Sequence, residues 1–244
     1  MTQSKVKYIT FIFLILIVIF QTIYFIHHEM NIYYWDYNGY WRSWENFIKI
    51  FNVSPLAAFN ELQLSVFSSD YNIIPIIIPS LFGFFNIPSR LSYVLALNIF
   101  YLIPTIFLFQ KVCLKFSDKN SKNDISWVLA TLVLPLFFVG FWSVSLIGYP
   151  DLIGLVCVIV SVLYVCSIDF SSKVRVLPSI LLGGLLWSPF LCRRWFAFTV
   201  VSIYLSAPFL NYYLYNGFRI RYDKMFKLAL NFFIVTCISI VGIR

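Results

Sequence analysis

The chain has 244 residues, of which 61% are hydrophobic, 20% aromatic and only 11% charged. Soluble domains carry about 25% charged residues, so this composition excludes an ordinary soluble globular protein and fits a polytopic helical membrane protein. The formal charge of +8 is spread over short loops and forms no basic stripe, which argues against nucleic acid as a partner and points to topology as its origin.

The first element is an apolar run, residues 8–27, preceded by Lys5 and Lys7. It is longer than a signal-peptide core and has no small-residue cleavage site after it, so it reads as a retained anchor. Further spans of about 20 apolar residues are expected at 91–110, 126–142, 152–168, 176–191, 197–215 and 227–243. This gives an all-α fold of about seven transmembrane helices in a single transmembrane domain, 1–244. One more apolar stretch, 72–87, contains Pro75, Pro79 and Gly83, all poor helix-interior residues.

Charge decides whether 72–87 crosses. If it does not, Lys5, Lys7, Lys111, Lys115, Lys119, Lys122, Lys173, Arg175, Arg219, Arg221, Lys224 and Lys227 fall inside. Only Arg42, Lys49, Arg90, Arg193 and Arg194 then fall outside, twelve basic residues against five. If it crosses, the lysine-rich loop 111–125 turns outward, against the positive-inside rule. The first arrangement predicts a multi-pass protein of the cell membrane with a cytoplasmic N-terminus. It leaves a long extracytoplasmic loop, 28–90, whose helix-period apolar residues (Phe47, Ile48, Phe51; Leu56, Phe59, Leu62) predict amphipathic surface helices.

Three polar groups share the expected outer face. Asp36 sits in YYWDYNGYWRSW among rings that suit either an interfacial aromatic belt or stacking on a sugar. A carboxylate there is able to act as general base toward an acceptor hydroxyl. Asp151 ends Tyr149-Pro150-Asp151, where it reads as a helix N-cap or as a second acid of the same site. Arg193 and Arg194 stand outside against the charge trend, placed either to snorkel to headgroups or to clamp a phosphate with planar guanidinium forks. Asp70 and Asn72 open the proline-rich stretch and suit turns. The five cysteines show no CxxC pairing, and no zinc-ligand spacing, P-loop or dinucleotide fingerprint is present.

In this order along the chain, the features resemble the N-terminal half of a polytopic membrane glycosyltransferase of the GT-C superfamily. They are YYWDYNGYW in a long first outer loop with surface helices, IIPIIIPSLFGFF before the second span, GYPD in the next outer loop, and Arg193-Arg194 at the outer end of the fifth span. The resemblance implies sugar transfer from a polyprenyl-phosphate donor to a glycan, lipid or protein acceptor at the extracytoplasmic face of the bilayer. It implies Asp36 as catalytic acid-base, Asp151 as the second acid, and Arg193 and Arg194 on the donor phosphate. Trp35, Tyr37, Trp41, Asp70 and Tyr149 are the remaining candidates for substrate contact. No cofactor is specified, and a divalent metal stays open. The first loop has one Asp where many members show an acidic pair, and DYNIIP (70–75) replaces the usual His-Pro-Pro-type motif. Family members run to eleven or more spans, so an incomplete or inactive chain is one alternative. A transporter or flippase-like protein for lipid-linked saccharide is the other, although the span interiors carry almost no charge.

Overall fold

Proline, glycine and polar punctuation divide the apolar chain into helices. The computed structural model describes residues 3–30, 36–68, 72–83, 89–117, 125–137 and 139–243, and every regular element among them is helical. Among the described residues, three stretches are long and apolar enough to cross a membrane: Tyr8–His27, Arg90–Phe116 and Arg194–Asn216. Ile74–Gly83, Leu152–Ser167 and Val176–Cys192 are apolar but shorter. At 1.5 Å per residue, Ile74–Gly83 is about 15 Å long, half of a bilayer's hydrocarbon thickness. The chain divides into two compact units, Met1–Ile153 and Gly154–Arg244.

In the first unit, helix α1 (Gln3–His27) buries a narrow stripe of Leu14, Val18 and Thr22, spaced four apart, and leaves Ile12, Phe13, Leu16 and Phe20 exposed. An apolar helix buried on so little of its surface suits lipid. Helix α2 (Asp36–Val53) is different: Tyr40, Trp44, Phe47 and Ile48 are buried, while Arg42, Asn46 and Lys49 are exposed. That one-sided pattern packs it against α3 (Pro55–Ser68) and α4 (Ile74–Gly83). The approach to α4 is close because Gly83 has no side chain; a Cβ there would overlap Ile48 and stand 2.7 Å from Trp44.

Helix α5 (Arg90–Leu97) starts on a Ser89 cap, whose Oγ accepts the Ser92 N–H. It continues through a π turn, Asn98–Leu102, into α6 (Ile103–Phe116). The Ile103 N–H reaches back to the Asn98 carbonyl, and Pro104 follows with no N–H to give. In the same turn Asn98 Nδ2 donates to Thr22 Oγ1 at 2.8 Å, tying α1 to this helix. A second proline is answered differently. Pro79 cannot bond the Pro75 carbonyl four residues back, and the Tyr101 hydroxyl takes that carbonyl at 2.5 Å.

The stretch expected as one span at 126–142 is broken. It forms α7 (Ile125–Val133), a 3₁₀ turn over Leu134–Phe137 and α8 (Val139–Leu146), because Pro135 removes a helical N–H in mid-run.

The second unit holds most of α9 (Leu152–Ser167), with α10 (Val176–Cys192), α11 (Ala197–Asn216) and α12 (Tyr222–Ile243). Its core includes Val165, Phe170, Leu182, Leu186, Ala207 and Phe232. Helices α10 and α12 meet at Gly183, where a Cβ would stand 2.8 Å from Ile238 and where Ser239 Oγ bonds the Gly183 carbonyl at 3.2 Å. Close backbone approach through a small residue is a common way for helices to associate in lipid. Within α10 the Leu185 carbonyl, freed by Pro189, accepts the Ser188 hydroxyl at 2.8 Å.

Two buried asparagines hold the turn between α9 and α10. Asn211 donates to the Val165 and Ile168 carbonyls, each at 2.7 Å, and accepts the Phe170 N–H. Asn231 donates to the Phe170 and Lys173 carbonyls and accepts from the Arg175 N–H and Ser179 Oγ. Both side chains are fully buried.

Candidate functional site

Within the first unit, four separate segments meet at Arg90, the first residue of α5. Its Nε and Nη2 donate to the two carboxylate oxygens of Glu29, at 3.2 and 2.9 Å, a bidentate pair largely withdrawn from solvent. Nη2 also donates to the Ile147 carbonyl at 3.0 Å. The Trp41 ring of α2 lies against the guanidinium, 5.6 Å from centroid to carbon. Glu29 follows α1, so the end of the first apolar helix, the amphipathic helix, the start of α5 and the turn after α8 share one cation.

One turn along α5, the Tyr93 hydroxyl donates to the Gly148 carbonyl at 3.0 Å. Tyr93 is fully buried beside Trp44, ring centroids 5.4 Å apart. Arg90 and Tyr93 therefore hold consecutive backbone carbonyls, those of Ile147 and Gly148. Gly148 has φ +100°, a left-handed conformation that favours glycine. A Cβ there would also stand 2.8 Å from Arg90 Nη1. The turn is tightened from behind by Gly148 N–H to Ser145 O at 3.1 Å and Tyr149 N–H to Val144 O at 3.0 Å. Directly after it come Tyr149, Pro150 and Asp151, all ahead of α9.

Asp36 is the first residue of α2, and Tyr37 follows it in the helix. Trp35 and Asp70 lie outside the described residues, as do the side chains of Asp36 and Tyr37. Trp41 is half-buried and belongs to the Arg90 cluster. Tyr149 and Asp151 are half-buried in the turn that the cluster holds. Arg193 and Arg194 belong to the second unit. Arg193 has extended backbone at the end of α10, its N–H on the Pro189 carbonyl at 3.0 Å, and Arg194 is exposed in a 3₁₀ turn.

The sequence shows Arg90 only as one of five outer basic residues and does not single out Glu29. The signal for Arg90 was its place: an arginine on the side that the charge rule leaves poor in them, at the first residue of an apolar helix. Glu29, 61 residues away, carried no sign of being its partner. Two donors also stand out: the buried indole N–H groups of Trp41 and Trp44 have no hydrogen-bond partner among the described residues. Such groups are usually paired when buried. Among the described residues no three His, Cys, Asp or Glu side chains gather as a metal site. No family model, curated protein or solved structure matches the chain.

Proposed function

We propose that the chain is a membrane glycosyltransferase of GT-C type, moving a sugar from a polyprenyl-phosphate donor to an acceptor on the extracytoplasmic face. The observation that carries this reading is the convergence on Arg90. An aromatic amphipathic helix headed by Asp36 and the turn that ends in Asp151 both reach the same guanidinium. These are the two acids that the resemblance assigns to one site. The indole donors of Trp41 and Trp44, without a partner among the described residues, add hydrogen-bonding capacity of the kind sugar hydroxyls satisfy.

In this reading the acceptor oxygen attacks the anomeric carbon while Asp36 takes its proton. The bond from that carbon to the phosphate oxygen breaks, and the lipid phosphate leaves with the electron pair. Arg193 and Arg194 keep the role of phosphate partners that the resemblance implies. Trp35, Tyr37, Trp41 and Tyr149 offer ring faces to the sugar, Asp70 a further contact, and Asp151 orients the reacting groups. The topology that goes with it has seven spans, a cytoplasmic N-terminus and 72–87 lying on the outer surface.

The experiment is transfer of labelled sugar from a polyprenyl-phosphate donor in membranes carrying the parent chain or Asp36→Asn. Removing a general base is expected to slow transfer by about a thousandfold. Transfer by Asp36→Asn near the parental rate removes Asp36 from the mechanism. Undiminished donor binding by Arg193→Ala/Arg194→Ala removes the phosphate clamp.

A further inference from the structure

We infer that Arg90, assisted by Tyr93, is a positioning residue that fixes the turn 147–151 through its main chain; its consequence for catalysis rests on the transferase reading above. An ion pair between α1 and α5 needs only Glu29 and a cation. The geometry goes further. One nitrogen, Nη2, serves Glu29 at 2.9 Å and the Ile147 carbonyl at 3.0 Å together. The next turn of the same helix supplies the Tyr93 hydroxyl to the Gly148 carbonyl. Glu29 aims the guanidinium, Trp41 lies beside it, and the second hydrogen of Nη2 goes to the turn. Lysine has the charge but no rigid planar fork to serve two oxygens in fixed directions.

The grip bears on function because Tyr149 and Asp151 follow the held carbonyls within three residues. It also couples them to α2, since the Trp41 ring and the turn share the Arg90 side chain. Displacement of a reacting group by about 1 Å is enough to lower turnover by as much as 10²-fold.

The test places a reporter thiol in the turn of the full chain, Tyr149→Cys, and follows its alkylation by a small maleimide in detergent. Protein without Tyr149→Cys corrects for the native cysteines. Tyr93→Phe and Arg90→Lys are each expected to raise the rate about fivefold, the factor one net hydrogen bond is worth. The charge swap Glu29→Arg/Arg90→Glu restores an ion pair but leaves the Ile147 carbonyl without its donor from α5, with only Tyr93 still on Gly148, so it is expected to fold and still to label fast. Parental labelling in the swap or in both single variants, with folding intact, overturns the grip.

Transfer assays on Tyr93→Phe and Arg90→Lys with Tyr149 intact supply the second readout. Turnover is expected to fall about tenfold with the donor KM within about twofold of the parent, the mark of an interaction used in the transition state. Fast labelling with unchanged turnover overturns the positioning role. Absence of transfer by the parent chain sinks the transferase reading instead, and the labelling rates then decide the grip by themselves.

Discussion

At the scale of single residues, the two asparagines and one glycine carry disproportionate weight. Asn231 uses both amide hydrogens and both lone pairs of its oxygen, leaving no part of the side chain idle. Asn231→Leu has nearly the right volume but strands carbonyls and an N–H around a buried site. The expected loss is roughly 3 kcal/mol, read as a lowered unfolding midpoint in detergent. Gly148→Ala meets two penalties, a left-handed φ and the nearby Arg90 nitrogen. Destabilisation of about 1–2 kcal/mol is expected, with a smaller effect when Arg90→Ala is already present; equal effects in both backgrounds would remove the steric part. Neither position announced itself in the sequence. Asn231 sits in an apolar helix with nothing to show that its partners lie some 60 residues upstream, and Gly148 was one of several small residues before a turn.

At the scale of elements, the helices are governed by how they treat their prolines. Most apolar runs were readable as helices because hydrophobic length is a local property, although the run at 126–142 is broken and the helices expected from 227 and to 110 start at Tyr222 and end at Phe116. The amphipathic form of α2 was readable in part: Phe47 and Ile48 are buried as their helical spacing suggests, while Phe51 of the same expected face is exposed. What was not readable was the repair of each missing N–H, since the repairing group comes from elsewhere or from a change of helical pitch. Pro135 ends a helix in a 3₁₀ turn, Pro104 follows a π turn, and Pro79 is answered by Tyr101. The last case makes a prediction. Tyr101→Phe leaves the Pro75 carbonyl buried without a donor and should lower stability by about 1–2 kcal/mol. Pro79→Ala restores a backbone N–H to the same carbonyl. In that background Tyr101→Phe should cost markedly less, and strict additivity in the double-mutant cycle would refute the compensation.

At the scale of the whole molecule, the described chain is all helical, with three helices able to cross a membrane by length and composition. The proposed orientation follows from lysine and arginine placement alone, a property of the chain that needs no contact to be known. It predicts the behaviour of reporter fusions. Fusions after Ser117 and Ser172 should be active only with a cytoplasmic reporter, and fusions after Tyr149 and Cys192 only with a periplasmic-type phosphatase. Reversed activity at the first pair would invert the topology and move Asp36 and Asp151 to the other face. Charge counting assigns Asp36 and Asp151 to one face, the assignment that the fusions test, whereas Arg90, which joins their segments, could be recognised only once four distant stretches were folded together.

The turn before Asp151 is gripped by carbonyl oxygens, and this has a consequence for how the protein can change. Every residue offers the same carbonyl, so the two bonds to Ile147 and Gly148 do not depend on the side chain at 147, provided position 148 stays glycine. Position and identity are thereby uncoupled in a segment next to a candidate catalytic acid. Such a segment is free to acquire new preferences by single substitutions, drift and selection acting on its side chains while Arg90 and Tyr93 keep its place.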